Sequence, residues 1–234
     1  MLYLIGLGLG DEKDISLKGL EAIKSCNEIY LENYTSFLQT DVKKLEKLYK
    51  KKIILADRDF VESNFPLKKA KSNNIALLII GDVFSATTHY ALYSEAKEKK
   101  IPVKIIHNAS ILTSVADTGL SLYNFGRTIS IPSNHKETSS PYENFEINYK
   151  NNLHTLFLLD LDLNVNDALK YLISKGLDKR ILCLACHAMG SDKQKIKAGT
   201  AEALLTKKFP QPSCLIIPSK KLHFMEEEAI EEWQ

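Results

Sequence analysis

Ile75-Ala76-Leu77-Leu78-Ile79-Ile80 runs directly into Gly81-Asp82-Val83-Phe84-Ser85-Ala86-Thr87-Thr88-His89, and this stretch decides the fold. Six consecutive apolar residues predict a strand buried on both faces, as in a parallel sheet covered by helices. The Gly-Asp pair and the small residues after it turn the chain, and an apolar, charged pattern from Thr88 to Lys99 predicts a helix. Strand, turn and helix in this order place exposed backbone at the carboxyl edge of a sheet, where open α/β sheets bind ligands. A helix start could receive a carboxylate there. Equally, Asp82 or Thr87 could simply cap the helix.

Working outward, Met1–Gly6, Glu28–Leu31, Ile53–Ala56 and Val103–Ile106 read as further strands. Ser16–Ser25 and Asp41–Lys50 read as helices between them. In the first, Leu17, Leu20 and Ile23 form an apolar stripe that Asp14 or Ser16 can cap. The alternation is that of an α/β domain. Beyond it, strands are expected at Thr128–Ile131, Leu153–Leu159, Arg180–Ala185, Gln194–Ala198 and Ser213–Ile217, with helices at Asn166–Ser174, Thr200–Thr206 and Met225–Trp233. The polar segment Pro132–Lys150 reads as a long connection. A change of character between residues 108 and 124 divides the chain into an N-terminal α/β domain, 1–112, and a C-terminal α/β domain, 113–234. No Gly/Ser linker separates them, and close packing is expected.

Composition sets bounds on function. In 234 residues, 44% are hydrophobic and 26% charged, enough to bury a core without staples. A formal net charge of +2 lacks the basic excess of a general nucleic-acid binder, so no direct nucleic-acid contact is expected. Lys207–Lys208 reads as a solvated helix end and Met225–Glu232 is acidic. No apolar run approaches the ~18 residues of a membrane span, and Met1–Gly6 lacks the features of a secretory leader. A cytoplasmic protein with reduced thiols at Cys26, Cys183, Cys186 and Cys214 is the expectation.

Two motifs mislead. Gly6-Leu7-Gly8-Leu9-Gly10-Asp11 follows a strand, and Glu32 ends the next one, which invites a dinucleotide reading. The third glycine of G-x-G-x-x-G would fall on Asp11, whose side chain and charge oppose a bound pyrophosphate. The glycines still require a tight turn or a close approach of backbone. Cys183-Leu184-Ala185-Cys186-His187 matches a c-type haem attachment pattern. Within a strand, however, residues three apart point to opposite faces, so the two thiols cannot converge on one ligand. No second pair completes a metal site, and none is expected. The chain also has no G-x-S-x-G elbow, H-E-x-x-H pair or Walker lysine loop.

Gly81–His89 resembles the GDP-x-x-ATTH signature of the diphthine synthases, which belong to the tetrapyrrole-methylase fold family. Residues 1–36, Ile54–Arg58, Ile106–Ile111, Thr118–Leu120, Tyr123–Gly126, Leu153–Asp160, Gly199-Thr200 and Leu222-His223 are similar to that family in the same order. Three features depart from it. Val83 stands where the signature has proline, as in the eukaryotic branch. His187-Ala188-Met189-Gly190-Ser191 lacks the arginine of an Ala-Arg-x-Gly-Ser stretch, and the segment after Ile131 is shortened and lacks a tryptophan-containing stretch.

The resemblance implies a two-domain α/β tetrapyrrole-methylase-like fold with a ligand cleft between the domains, and a homodimer. It implies a methyltransferase that uses S-adenosyl-L-methionine, releases S-adenosyl-L-homocysteine, and acts on a histidine of elongation factor 2 bearing an amino-carboxypropyl arm. The arm's amine is trimethylated, and eukaryotic-type members esterify the carboxylate as well, giving diphthine methyl ester. Carried over by position, cofactor contacts fall at Leu9, Asp82, Ser85, Ser110, Ile111, Leu159, Met189 and Ser213. Asp82 could face the cationic sulfonium or merely stabilise its turn.

Methyl transfer from a sulfonium requires alignment and exclusion of water, but no nucleophilic residue or metal. A base could help, and His89, His154 and Asp160 are the candidates, with no catalytic residue assigned. The rival readings are a tetrapyrrole methylase acting on a porphyrin precursor and a non-catalytic binding protein that keeps the fold.

Overall fold

The computed structural model describes residues 1–234 as two compact units, Met1–Ser114 and Val115–Gln234. The first contains β1 (Leu2–Gly6), α1 (Leu17–Ser25), β2 (Glu28–Glu32), α2 (Val42–Tyr49), β3 (Ile54–Ala56), α3 (Arg58–Glu62), α4 (Phe65–Ser72), β4 (Ile75–Ile79), α5 (Tyr90–Glu98), β5 (Val103–Ile106) and α6 (Ile111–Ser114). Its five strands are all parallel, in the order β3-β2-β4-β1-β5. Alternate residues of β1 serve opposite cores. Leu2 and Leu4 pack with Leu67 and Ala70 of α4 and Leu92 and Ala96 of α5, while Ile5 packs with Ala22 and Ile23 of α1 and Leu45 and Tyr49 of α2. Burial on both faces explains the uninterrupted apolar runs. Each fully buried Leu or Ile contributes about 1.5–3 kcal/mol.

Local chemistry sets the helix ends. Ser16 caps α1 by accepting from the Gly19 N–H, and Asp41 caps α2 by accepting from the Lys43 N–H. Asp14, the other cap considered for α1, is engaged elsewhere. The expected stripe of α1 is corrected at Leu17, which is 80% exposed; Gly19, Ala22 and Ile23 are the buried residues. The helix after the signature begins at Tyr90 rather than Thr88, and neither Asp82 nor Thr87 caps it. Asp82 organises the turn before it, and the Thr87 hydroxyl donates to the Val83 carbonyl at 2.7 Å.

The second unit contains β6 (Ile129–Ile131), α7 (Ser140–Lys150), β7 (Thr155–Leu159), α8 (Val165–Ser174), β8 (Leu182–His187), β9 (Lys195–Thr200), α9 (Ala201–Leu205), β10 (Ser213–Ile217) and α10 (Phe224–Glu231). Its sheet runs β6-β7-β10-β8-β9, parallel only between β6 and β7. One core joins Ile131, Phe157, Cys183, Ala185, Leu215 and Ile217 of the sheet to α7, α8 and α9.

Two expectations fail within these units. Ser140–Lys150, read as part of a connection, is the helix α7, and it buries Pro141, Phe145 and Asn148. Asn148 is the reason that a polar sequence packs here. Its side chain accepts from the Arg127 N–H at 3.1 Å and donates to the Arg127 carbonyl at 2.8 Å, so the buried amide is satisfied. The second failure is the pair of short helices α3 and α4, which sequence periodicity did not reveal. Asp57 caps α3 through the Phe60 N–H, and Pro66 opens α4.

The haem-like motif resolves as its strand periodicity requires. Cys183 faces the core under α8, whereas Cys186 lies on the other face, opposite Cys214. All four cysteines are free and buried. No helix is long and apolar enough to cross a membrane.

Candidate active site

At the carboxyl edge of the parallel sheet, three loops are tied into one body. β1 leads toward β2 on one side, while β4 leads past β1 to β5 on the other. β1 in turn passes β4 to reach β2, so the two connections leave in opposite senses, and open α/β sheets bind ligands beyond the carboxyl ends of such strands. Gly8 and Gly81 exchange backbone hydrogen bonds here, at 3.1 and 2.8 Å. Both have φ of +80°, a conformation that glycine adopts without strain.

Asn108, just past β5, joins the loops. Its Nδ2 donates to the carbonyls of Gly6 at 3.0 Å and Asp14 at 2.9 Å, and its Oδ1 accepts from the Ala109 N–H at 2.8 Å. The N–H groups of Leu9 and Gly10 both point at Asp14 Oδ2, at 3.1 and 2.7 Å. The glycine loop therefore binds the chain's own carboxylate where a dinucleotide fold would bind pyrophosphate.

Asp82 is 7% exposed and fully engaged. Its Oδ1 accepts from the Phe84 N–H and the Ser85 hydroxyl, each at 3.0 Å. Its Oδ2 accepts from the Asn108 N–H at 3.1 Å and meets His107 Nδ1 at 2.8 Å. Burial opposes ionisation of this carboxyl, but the hydrogen bonds from Phe84, Asn108, His107 and Ser85 outweigh it and lower the pKa. Asp82 thus stabilises its turn and ties it to the β5 loop, and its lowered pKa favours a negative charge at the edge. Ser110 is buried, and its carbonyl accepts from the Thr113 and Ser114 N–H groups. Ile111 follows as the first residue of α6. Leu9, Asp82, Ser85, Ser110 and Ile111 thus lie on three adjoining loops.

Leu159, Met189 and Ser213 gather at one edge of the second sheet. Ser213 opens β10 opposite His187, the end of β8. Leu158 pairs with Cys214, one position inward of Leu159 and Ser213. Met189 lies in the turn after β8, where Ala188 has φ of +49° and Gly190 +75°. That turn is held by the Ala188 N–H on the Pro212 carbonyl at 2.9 Å and by the Gly190 N–H on Gln194 Oε1 at 2.7 Å. Gln211 accepts from the Ser213 N–H at 2.7 Å. A cavity of about 560 Å³, lined by Tyr142, Tyr149, Arg180 and Lys220 among others, includes Ile181 and so lies toward the opposite end of β8.

The three candidate bases separate clearly. His154 is wholly buried and structural: its Nδ1 accepts from the Ser219 N–H at 3.0 Å, so its Nε2 carries the hydrogen toward Glu226 Oε1 at 3.2 Å. Asp160 accepts from the N–H and hydroxyl of Ser133, at 2.9 and 3.0 Å. His89 is 2% exposed, and neither ring nitrogen has a hydrogen-bond partner. Burial pushes its pKa down to about 4. Asp14, Tyr34, His107 and Asn108 were not singled out as site residues from the sequence. Asn108 carried the usable signal, a polar side chain directly beyond the carboxyl end of a parallel strand.

The whole chain has known relatives. The family model for tetrapyrrole (corrin/porphyrin) methylases matches residues 1–205. Diphthine methyl ester synthase of Dictyostelium discoideum is 41% identical, over 99% of this chain and 97% of its own. The human enzyme of that name is 38% identical, over 98% and 94%. A crystal structure of diphthine synthase aligns with a TM-score of 0.93 at 35% identity, covering 99% of this chain and 95% of that one. Likeness of this extent, across both units and at the level of sequence as well as fold, makes the chain a member of the tetrapyrrole methylase family on its diphthine methyl ester synthase branch.

Proposed function

We propose that this chain is the S-adenosyl-L-methionine-dependent methyltransferase of diphthamide biosynthesis. Its protein substrate is elongation factor 2, and the acceptor is the amino-carboxypropyl arm on a histidine of that factor. The observation that carries this reading is the full-length likeness to diphthine methyl ester synthases.

The cofactor contacts are Leu9, Asp82, Ser85, Ser110 and Ile111 of the first unit and Leu159, Met189 and Ser213 of the second. Their chemistry fits such a group. Leu9, Ile111, Leu159 and Met189 offer apolar walls for a purine and a methionyl chain, and three serine hydroxyls offer polar fixing points. Four protein donors already engage the Asp82 oxygens, so Asp82 contributes negative charge for a cationic cofactor rather than a free hydrogen-bonding site.

When bound, the cofactor supplies a methyl group activated by its sulfonium. The protein's part is to orient the acceptor and exclude water. The tied loops around Gly6, Gly81 and Asn108 suit this task, because their mutual hydrogen bonds resist displacement. The homodimer that the resemblance implies and the cytoplasmic location expected from the sequence belong to the same proposal.

Purified protein, labelled S-adenosyl-L-methionine and elongation factor 2 carrying the unmethylated arm form the test. Label is expected on the factor, in the mass increments of methyl groups. Absence of transfer by a chain that binds the cofactor would overturn this substrate.

A further inference from the structure

Tyr34 and His89 bring two unpartnered polar groups to the same place. Tyr34 lies two residues beyond β2, and His89 closes the loop after β4, the neighbouring strand. Both therefore stand beyond the carboxyl edge of the first sheet, and His89 shares its loop with Asp82 and Ser85. The two ring centroids are 6.4 Å apart. The Tyr34 hydroxyl is buried without a hydrogen-bond partner, and both nitrogens of His89 lack partners as well.

Buried polar atoms are almost always satisfied, since leaving one bare costs on the order of 1–3 kcal/mol. Three bare atoms at one spot would disfavour the fold unless they serve something. The adjacent groups are already committed. Glu32, fully buried at the end of β2, accepts from the Tyr34 and Thr35 N–H groups and from the Thr35 hydroxyl. Arg58 of α3 lies over the Tyr34 ring at 5.3 Å and pairs with Glu62. No charged side chain is hydrogen-bonded to His89, so the ring is a neutral imidazole with one bare acceptor nitrogen and one N–H donor.

We propose that His89 and Tyr34 seat the acceptor amine, with the imidazole accepting one amine N–H while the nitrogen lone pair faces the methyl group. The proposal rests on the methyltransferase reading above and adds the acceptor subsite to it. Desolvation beside the buried His89 ring disfavours ammonium, so the amine enters neutral, its extra proton having passed to solvent. The lone pair then forms the new N–C bond as the C–S bond breaks, and that bond's electrons remain on sulfur. Positive charge thereby moves from sulfur to nitrogen. Before another methyl can be added the nitrogen sheds a further proton to solvent, and the imidazole again accepts an N–H for as long as the nitrogen keeps one. Tyr34 is the outer member of the pair, because its residue is partly exposed whereas His89 is not.

The test compares wild type with His89→Phe, His89→Gln and Tyr34→Phe, using calorimetry with S-adenosyl-L-methionine, thermal melting and transfer to elongation factor 2. His89→Phe is expected to fold, bind the cofactor with wild-type affinity and lose about 100-fold in kcat. His89→Gln, which keeps an acceptor, recovers part of that loss, and Tyr34→Phe slows transfer in the same direction. If wild type is active and all three variants turn over within about threefold of it, the amine seat is overturned and the methyltransferase reading stands. Loss of cofactor binding in step with activity overturns it as well, by making His89 a support of the cofactor loop. Should His89→Phe not fold, wild-type turnover by the other two variants is sufficient to reject the proposal. A wild type that binds cofactor but transfers nothing removes the substrate reading, and the amine seat with it.

Discussion

A β-carbon on Gly6 would stand 2.6 Å from the carbonyl oxygen of Gly81, closer than real side chains approach backbone. It would also meet Asn108 Cβ at 3.0 Å. The obstructing oxygen is main chain and cannot rotate away. Gly6→Ala therefore forces the β1 and β4 loops apart at their hydrogen-bonded junction. Overpacking of this kind costs about 1–3 kcal/mol. Urea denaturation should show that loss, and calorimetry should show weaker S-adenosyl-L-methionine binding beyond it. Wild-type stability and affinity would mean the junction yields more easily than its geometry allows.

Asn108→Asp tests the tie between the loops with almost no change of volume. The amide nitrogen now donates to two carbonyls, of Gly6 and Asp14, and a carboxylate oxygen in its place would face both without a hydrogen. The expected loss is about 1–3 kcal/mol in denaturant melts. The Ala109 N–H keeps its acceptor, so the damage should fall on the β1 loop. Amide hydrogen exchange at Leu9 and Gly10 should quicken, whereas exchange in the second unit should not change.

The first sheet was readable from its central strand, since Ile75–Ile79 is buried on both faces and carries no polar interruption. Helix α7 was not, because Ser140–Lys150 is rich in residues of low helix propensity. It is stabilised by burial of Phe145 and by the bonds from Asn148 to Arg127, a partner 21 residues away. The same separation hid the role of Asp82. Its turn bonds to Phe84 and Ser85 are local and could be anticipated, but those to His107 and Asn108 span 25 and 26 residues. Only β-strand order brings such residues together. Leu17 failed for a simpler reason, since an apolar residue in the first turn of a helix can lie outside the packed stripe.

Thiol chemistry checks the reading of the cysteines. All four are free and buried, and burial pushes Cys26 up to about 11 and Cys183 up to about 12. Cys186 is raised as well, by its hydrogen-bonding contact with Cys214 and by burial. Thiolate is the reactive form, so the native protein should resist a thiol reagent near neutral pH. Four equivalents should react once urea unfolds it. Rapid labelling of the native chain would show that a thiol is reachable.

Glu226 should make the second unit acid-sensitive. Burial opposes its ionisation, but hydrogen bonds from His223, Ser121 and His154 prevail and hold its pKa at about 2, below the ordinary 4.5. A depressed carboxyl pKa gives stability that is complete above 4.5 and is lost as pH falls from there toward 2. Glu226→Gln should be less stable than wild type at neutral pH and should show a flatter dependence across that window. Parallel curves for the two proteins would show that Glu226 gains nothing from its charge in the fold.

His154 and His89 are both buried, yet the same substitution should affect stability in opposite ways. In His154 one nitrogen accepts from Ser219 and the other donates to Glu226, so His154→Phe strands a backbone N–H and removes a donor from a buried carboxylate. That should cost about 1–3 kcal/mol or more. In His89 neither nitrogen has a partner, so His89→Phe deletes two bare polar atoms and leaves none behind. Its melting temperature near neutral pH should match or exceed that of wild type. The pH dependence adds a second sign. Burial holds His89 at about 4 rather than 6.5, so below pH 6.5 the unfolded chain takes up a proton that the folded one refuses. Stability drains away between pH 6.5 and about 4 and levels off beneath, and His89→Phe should remove that part of the slope. A phenylalanine at 89 that destabilised the fold as much as one at 154 would mean that His89 is held by hydrogen bonds after all, and the case for its use on a substrate would go with it.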